Sequence, residues 1–133
     1  MPSMAKKLPD TNTIVRYLIK DIPALYEKAA DFFESVRVGE EKAIILESVF
    51  VECVYVLTMI YKVPKERVVD SLLKILRYKG ILNDDKEALI EALTIFKARS
   101  IDIVDCILVA KGKSYNMTLF TFDKKLNSLF RNS

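Results

Sequence analysis

The segment ESVFVECVYVLTMIYK, residues 47–62, constrains the fold more than any other. A strand rarely exceeds about ten residues. Its length therefore predicts a helix, despite the many valines. Apart from Glu52, every residue from Val49 to Leu57 is apolar, so the helix must be covered on most of its surface. Glu52 then has two readings. It is an exposed acid on an otherwise buried helix, or a carboxylate held beside a cation. An isolated buried carboxylate costs several kcal/mol, and a cation would resolve that conflict.

The flanking segments alternate helical and strand patterns. Residues 12–20 read as a short helix with Ile14, Val15 and Leu18 on one side. Residues 23–37 read as a second, with Pro23 in its first turn and Leu25, Ala29, Phe32, Phe33 and Val36 as its buried stripe. Gly39 ends it. KAIIL, 42–46, reads as a buried strand. PKERVVDSLLKILRYKG is an amphipathic helix opened by Pro64 and closed by Gly80. ILN, 81–83, reads as a brief strand. DDKEALIEALTIFKARS is a helix with acids at its head and bases at its tail, matching the helix dipole. SIDIVDCILVAKGKSYN is a helix that Ser100 caps. MTLFTF, 117–122, reads as a strand, and DKKLNSLF opens a last helix. Helices alternating with short apolar strands predict an α/β domain, a parallel sheet covered by helices on both faces. Functional sites of such sheets form at the C-terminal ends of the strands.

Composition narrows the chemistry. The 133 residues predict a single domain, 1–133, and three glycines and four prolines leave little room for linkers. There is no histidine. That excludes Ser-His-Asp and Cys-His catalysis, and zinc sites that need imidazole. Twenty-one basic and eighteen acidic residues give a net charge of +3, which permits a polyanionic partner without demanding one. Cys53 and Cys106 each sit in an apolar run and read as buried free thiols; a disulfide stays open at this level. No signal peptide is evident, and the longest apolar run is too short to span a membrane. A soluble, cytoplasmic protein is expected.

Four acids stand out from their surroundings. Asp10 and Asp123 each follow an expected strand and so lie at C-terminal strand ends. Both also read as helix N-caps. Asp105 lies beyond the reach of capping in DIVDCILVA. Asp102, three residues earlier, shares its helical face and is explained equally well as an acid favoured by the helix dipole. Carboxylates from distant segments that converge would repel one another. Mg²⁺ or Mn²⁺, hard cations with oxygen ligands, would relieve that repulsion and activate a water for attack on a phosphate.

DTN at 10–12, SVFVECVYVL at 48–57, DIVDCILVA at 102–110 and TFD at 121–123, in this order and spacing, resemble the PIN-domain ribonucleases, and within them the toxins of VapC type. The resemblance covers nearly the whole chain. It implies a three-layer α/β/α fold around a parallel sheet of four or five short strands. It implies cleavage of RNA dependent on Mg²⁺ or Mn²⁺, with Asp10, Glu52, Asp105 and Asp123 as the metal-binding quartet. Asn12 and Thr121 would be supporting polar residues, and Asp102 matches an acid one turn before the third member. A homodimer and a small antitoxin partner are further implications. The chain departs from the family pattern at Pro9, which cannot donate to a sheet ladder and argues against a full-length first strand.

Two other classes compete with a ribonuclease. One is a catalytically weak PIN-like module that binds RNA or protein. The other is a metal-dependent nuclease acting on DNA structures. Arg16, Arg99, Lys111 and Lys124 are candidate phosphate contacts, although each also reads as ordinary solvated charge. No aromatic-basic pattern marks a platform for single strands.

Overall fold

A computed structural model describes residues 5–132 of the chain. The described residues form two compact units, Met1–Asp84 and Asp85–Ser133. In chain order the elements of the first are β1 (Lys6–Lys7), α1 (Thr11–Ile19), α2 (Pro23–Val38), β2 (Lys42–Ala43), α3 (Glu47–Tyr55), a π-helical turn (Val56–Ile60) and α4 (Lys65–Leu76). The second holds α5 (Lys86–Ala98), α6 (Ile103–Ser114) and α7 (Lys124–Arg131). The mixed α/β class expected from the alternating pattern is present, but helix dominates it.

The sheet is much smaller than expected. Among the described residues it has two parallel strands, with Lys6 opposite Lys42 and Lys7 opposite Ala43. A parallel bridge joins Ala43 to Ile81 on the other side. The described residues show two strands and not the four expected. β1 stops two residues before Pro9, which is buried and has no N–H to continue the ladder. The start of the expected first strand, Met4, lies outside the described residues. Residues 117–122, expected as the last strand, make no ladder among the described residues, and Phe120 and Phe122 are 88% and 92% exposed.

The short central strand is nevertheless paired on both sides. The Ala43 N–H donates to Gly80 O at 2.9 Å, and the Leu82 N–H donates to Ala43 O at 2.9 Å. On the opposite side the Ile44 N–H donates to Lys7 O at 3.0 Å. Where backbone pairing stops, a side chain takes over. The buried Asn83 accepts the Ile45 N–H on Oδ1 at 2.9 Å and donates Nδ2–H to Ile45 O at 2.7 Å. Its amide thus copies a peptide group of a third strand. Gly80 permits the close approach this requires. A Cβ there would stand 2.1 Å from Glu41 O and 2.7 Å from Val36 O.

Helix boundaries follow local chemistry. Pro23 starts α2 and Gly39, at φ 88°, ends it. Ala29, Phe33 and Val36 are buried, whereas Leu25, expected in that stripe, is 39% exposed. Tyr17 of α1 stacks on Phe33 with centroids 4.7 Å apart, and its hydroxyl meets that of Tyr78 at 2.6 Å. The long apolar segment is helical, but not uniformly. The Thr58 hydroxyl donates to Val54 O at 2.7 Å and loads the acceptor of its own backbone N–H. The Tyr61 N–H then reaches five residues back to Val56 O at 3.1 Å, the mark of a π-turn. In the second unit α6 packs on both α5 and α7, burying Leu89, Leu93, Ile103 and Val109. Asp102, rather than Ser100, is the N-cap residue of α6. Both cysteines are buried, and among the described residues they form no disulfide. Among the described residues no helix is long and apolar enough to cross a membrane.

Asn83→Ala will strip a buried N–H and a buried C=O of their partners. We expect a loss of about 2 kcal/mol, read as a lower urea midpoint with an unchanged m-value. Asn83→Asp should be worse, because a carboxylate cannot donate to Ile45 O.

Candidate functional site

In the first unit Asp10 stands where β1 gives way to α1. It is the N-cap of α1, and its Oδ1 accepts both the Thr13 N–H at 2.9 Å and the Thr13 hydroxyl at 2.7 Å. The Thr13 backbone bond, then the hydroxyl bond, hold its carboxyl below the usual range. Both bonds fall on Oδ1, and the residue as a whole is exposed. The capping reading of Asp10 is therefore realised.

Glu52 is exposed. The expectation of a buried carboxylate in need of a cation is corrected here. Ser48, Glu52, Tyr55 and Met59 are all exposed, and their helical spacing makes one outward stripe, while Phe50, Cys53, Val54 and Leu57 take the buried side. Glu52 and Asp10 nonetheless act on the same buried group. The Cys53 thiol is pushed up to about 12, first by burial and then by the charges of Glu52 and Asp10. Thr11 also faces that thiol. Its side chain hydrogen-bonds the thiol and partly offsets that rise. Asn12 is exposed and lines a hollow of about 230 Å³ with Thr13, Arg16 and Lys28.

In the second unit Asp105 is half-buried, and it lies in the first turn of α6, not beyond the reach of that turn as expected, because the helix starts only at Ile103. Burial raises its carboxyl above the ordinary range, and the charges of Asp102 and then Asp123 add to the effect. Three sequence-predicted acids thus share one electrostatic neighbourhood. Asp123 is the N-cap of α7 and accepts the Leu126 N–H on Oδ1 at 3.0 Å. Thr121 braces it, since Thr121 Oγ1 accepts the Asp123 N–H at 3.1 Å and Thr121 O accepts from Asn127 Nδ2 at 2.9 Å.

The sequence reading missed Thr13 and Asn127. The first was legible, because a cap residue at 10 and a hydroxyl at 13 have the spacing of a capping box. Nothing marked the second. Among the candidate phosphate contacts, Arg16 Nη1 donates to both oxygens of Asp21 at 2.8 and 2.9 Å, and Lys111 pairs with Asp85 at 3.3 Å. Arg99 and Lys124 line a cavity of about 520 Å³.

The donor set suits a hard divalent cation in kind. It offers carboxylate oxygens and no imidazole, and the one thiol beside it, Cys53, is held protonated. The mutual repulsion around Asp105 is what such a cation would relieve. Among the described residues, however, no three carboxylate or thiol side chains are grouped so as to hold a metal ion.

Comparison with family models matches residues 7–130 to the PIN domain, and the chain belongs to that family. PIN domains are generally metal-dependent nucleases that act on RNA. No match was found among curated proteins or among solved structures.

Two pH-dependent outcomes follow. Asp105 binds its proton more tightly in the folded state, so its ionisation disfavours the fold as pH rises through the folded pKa. Asp105→Asn should therefore raise the melting temperature at pH 7 in EDTA, with the gain absent at pH 3. Asp10 has the opposite sign. Its lowered carboxyl supports the fold above the unfolded value of 3.8, and that support is lost as pH falls through the folded pKa. Asp10→Ala should cost about 1 kcal/mol at pH 7, and the difference should shrink in melts taken at progressively lower pH.

Proposed function

We propose that the protein is a ribonuclease that hydrolyses RNA phosphodiester bonds with Mg²⁺ or Mn²⁺, acting as one functional domain. Asp10, Glu52, Asp105 and Asp123 are its metal-binding carboxylates, with Asp102, Asn12 and Thr121 in support. The observation that carries this reading is the neighbourhood of Asp105, where burial first, and then the charges of Asp102 and Asp123, hold its carboxyl above the ordinary range. Membership of the PIN family adds the reaction class.

When bound, a divalent cation lowers the pKa of a water and neutralises charge developing on the phosphate. The chain's own residues prepare for this. Thr13 fixes Asp10 through bonds to one of its oxygens. Thr121 and the first turn of α7 fix Asp123. Glu52 rides on a helix anchored by Phe50, Val54 and Leu57, so its position costs little ordering on binding. The absence of histidine removes the imidazole route that uses the 2′-hydroxyl as nucleophile. Water is the nucleophile in this reading. The toxin role, with a small antitoxin as partner, a homodimer and a cytoplasmic setting are extensions of it, and the VapC-like order of motifs is what supports them. The four-stranded, three-layer core belongs to the same proposal.

Purified protein should cleave single-stranded RNA with Mg²⁺ or Mn²⁺ and not in EDTA, leaving 5′-phosphate and 3′-hydroxyl ends. Products ending in 2′,3′-cyclic phosphate would sink the mechanism. Glu52→Gln should lose at least a hundredfold in rate while melting at or above the wild-type temperature without metal. A misfolded Glu52→Gln would point to a structural role instead.

A further inference from the structure

The hollow of about 230 Å³ between α1 and α2 has a chemistry that the nuclease reading leaves unused. Asn12, Thr13 and Arg16 line it from α1, and Leu25, Lys28 and Ala29 line it from α2. Spacings of three and four put each set on one face of its helix. All six residues belong to the first unit. Leu25, which a fully packed stripe would bury, is 39% exposed here.

Arg16 gives the hollow its character. Its side chain is only 20% exposed. Nη1 donates to the two oxygens of Asp21 at 2.8 and 2.9 Å, and to the Tyr61 hydroxyl at 3.3 Å. Nε is buried with no hydrogen-bond partner among the described residues, and Nη2 donates to none of them. Nε and Nη2 form the edge of the guanidinium fork that grips two oxygens of one oxyanion. A buried donor without a partner is costly, so this edge calls for an acceptor. Asp21 answers the charge of Arg16, but from the Nη1 side of the fork.

Lys28 adds a cation that forms no ion pair among the described residues, and no acid lines the hollow. Arg16 and Lys28 against Asp21 leave one positive charge over. The space is below the roughly 300–1,000 Å³ of sites for drug-sized ligands, so a small ion suits it better than a nucleotide. A phosphate has two oxygens for the Arg16 edge and others for Lys28 and the Asn12 amide.

We propose that the hollow between α1 and α2 binds a phosphate group, free or as the head of a small monoester, with two oxygens on the Nε–Nη2 edge of Arg16 and a third facing Lys28. Nε is closed to water, so seating the ion requires the Arg16 guanidinium to tilt toward the hollow. The site adjoins Thr13, which fixes Asp10, but the proposal does not depend on the nuclease reading.

The test is thermal melting of the full chain in EDTA, without RNA, titrated with inorganic phosphate against chloride at equal ionic strength. Phosphate should raise the melting temperature along a saturable curve, because it binds the folded state. Lys28→Glu should abolish that rise. Arg16→Lys keeps the charge and removes the two-donor edge, so it should weaken the fitted affinity about tenfold or more. Arg67→Glu makes the same charge change as Lys28→Glu on another helix, α4, and should leave the rise unchanged. Lys28 and Arg67 are exposed, so both variants should fold, and they decide the matter if Arg16→Lys does not. The same titration with glycerol phosphate separates the two sources. A rise equal to that with phosphate assigns the site to small monoesters as well, and a rise with phosphate alone assigns it to the free ion. A phosphate response no larger than that to chloride would overturn the proposal and leave water as the partner of Nε. So would a saturable response kept by Lys28→Glu, or an equal loss in Arg67→Glu, which would make the effect one of net charge.

Discussion

The first unit depends on the hydrogen bonding of four residues, 42–45. Their backbone is paired with Lys7 on one side and with Gly80, Leu82 and the Asn83 amide on the other. Buried peptide groups must find partners, and here the supply of strand is very short. The Asn83 side chain supplies what a longer third strand would have given. That economy fixes two exits. One leads from β1 through Pro9 to Asp10. The other leads from Ile45 into α3, which carries Glu52 in its second turn. Both acids are therefore held by the same short ladder, even though neither belongs to it.

Helices were legible in the sequence because their punctuation is local. Pro23, Gly39, Pro64 and the caps at Asp10 and Asp123 each act within one turn. Strands were less so, because a ladder needs a partner distant in the chain. KAIIL has the composition of a strand, but only Lys42–Ala43 is laddered. MTLFTF has it too, and pairs with nothing among the described residues. The π-turn was invisible for a different reason. It follows from one threonine hydroxyl, which no periodicity reports.

The candidate site was legible as a list of residues and not as an environment. Glu52 looked buried because its neighbours in sequence are apolar. Helical phase turns it outward with Ser48, Tyr55 and Met59. Asp105 is the converse case. It is the only one of the quartet that is half-buried, and repulsion from Asp102 and Asp123 is added to its desolvation. The cavity that Arg99 and Lys124 line was hidden too, since these residues are twenty-five positions apart in the chain and only the fold brings them to one wall.

The two cysteines have a consequence of another kind. Each follows a member of the acidic quartet and turns into the core of its own unit, Cys53 after Glu52 and Cys106 after Asp105. Buried thiols are inert to alkylating agents until the surrounding structure opens, and for Cys53 the neighbouring carboxylates suppress the reactive thiolate as well. The chain thus carries one silent chemical clock in each unit. The rate at which each thiol becomes labelled would time the opening of its own half, and would tell whether the two halves breathe together or apart.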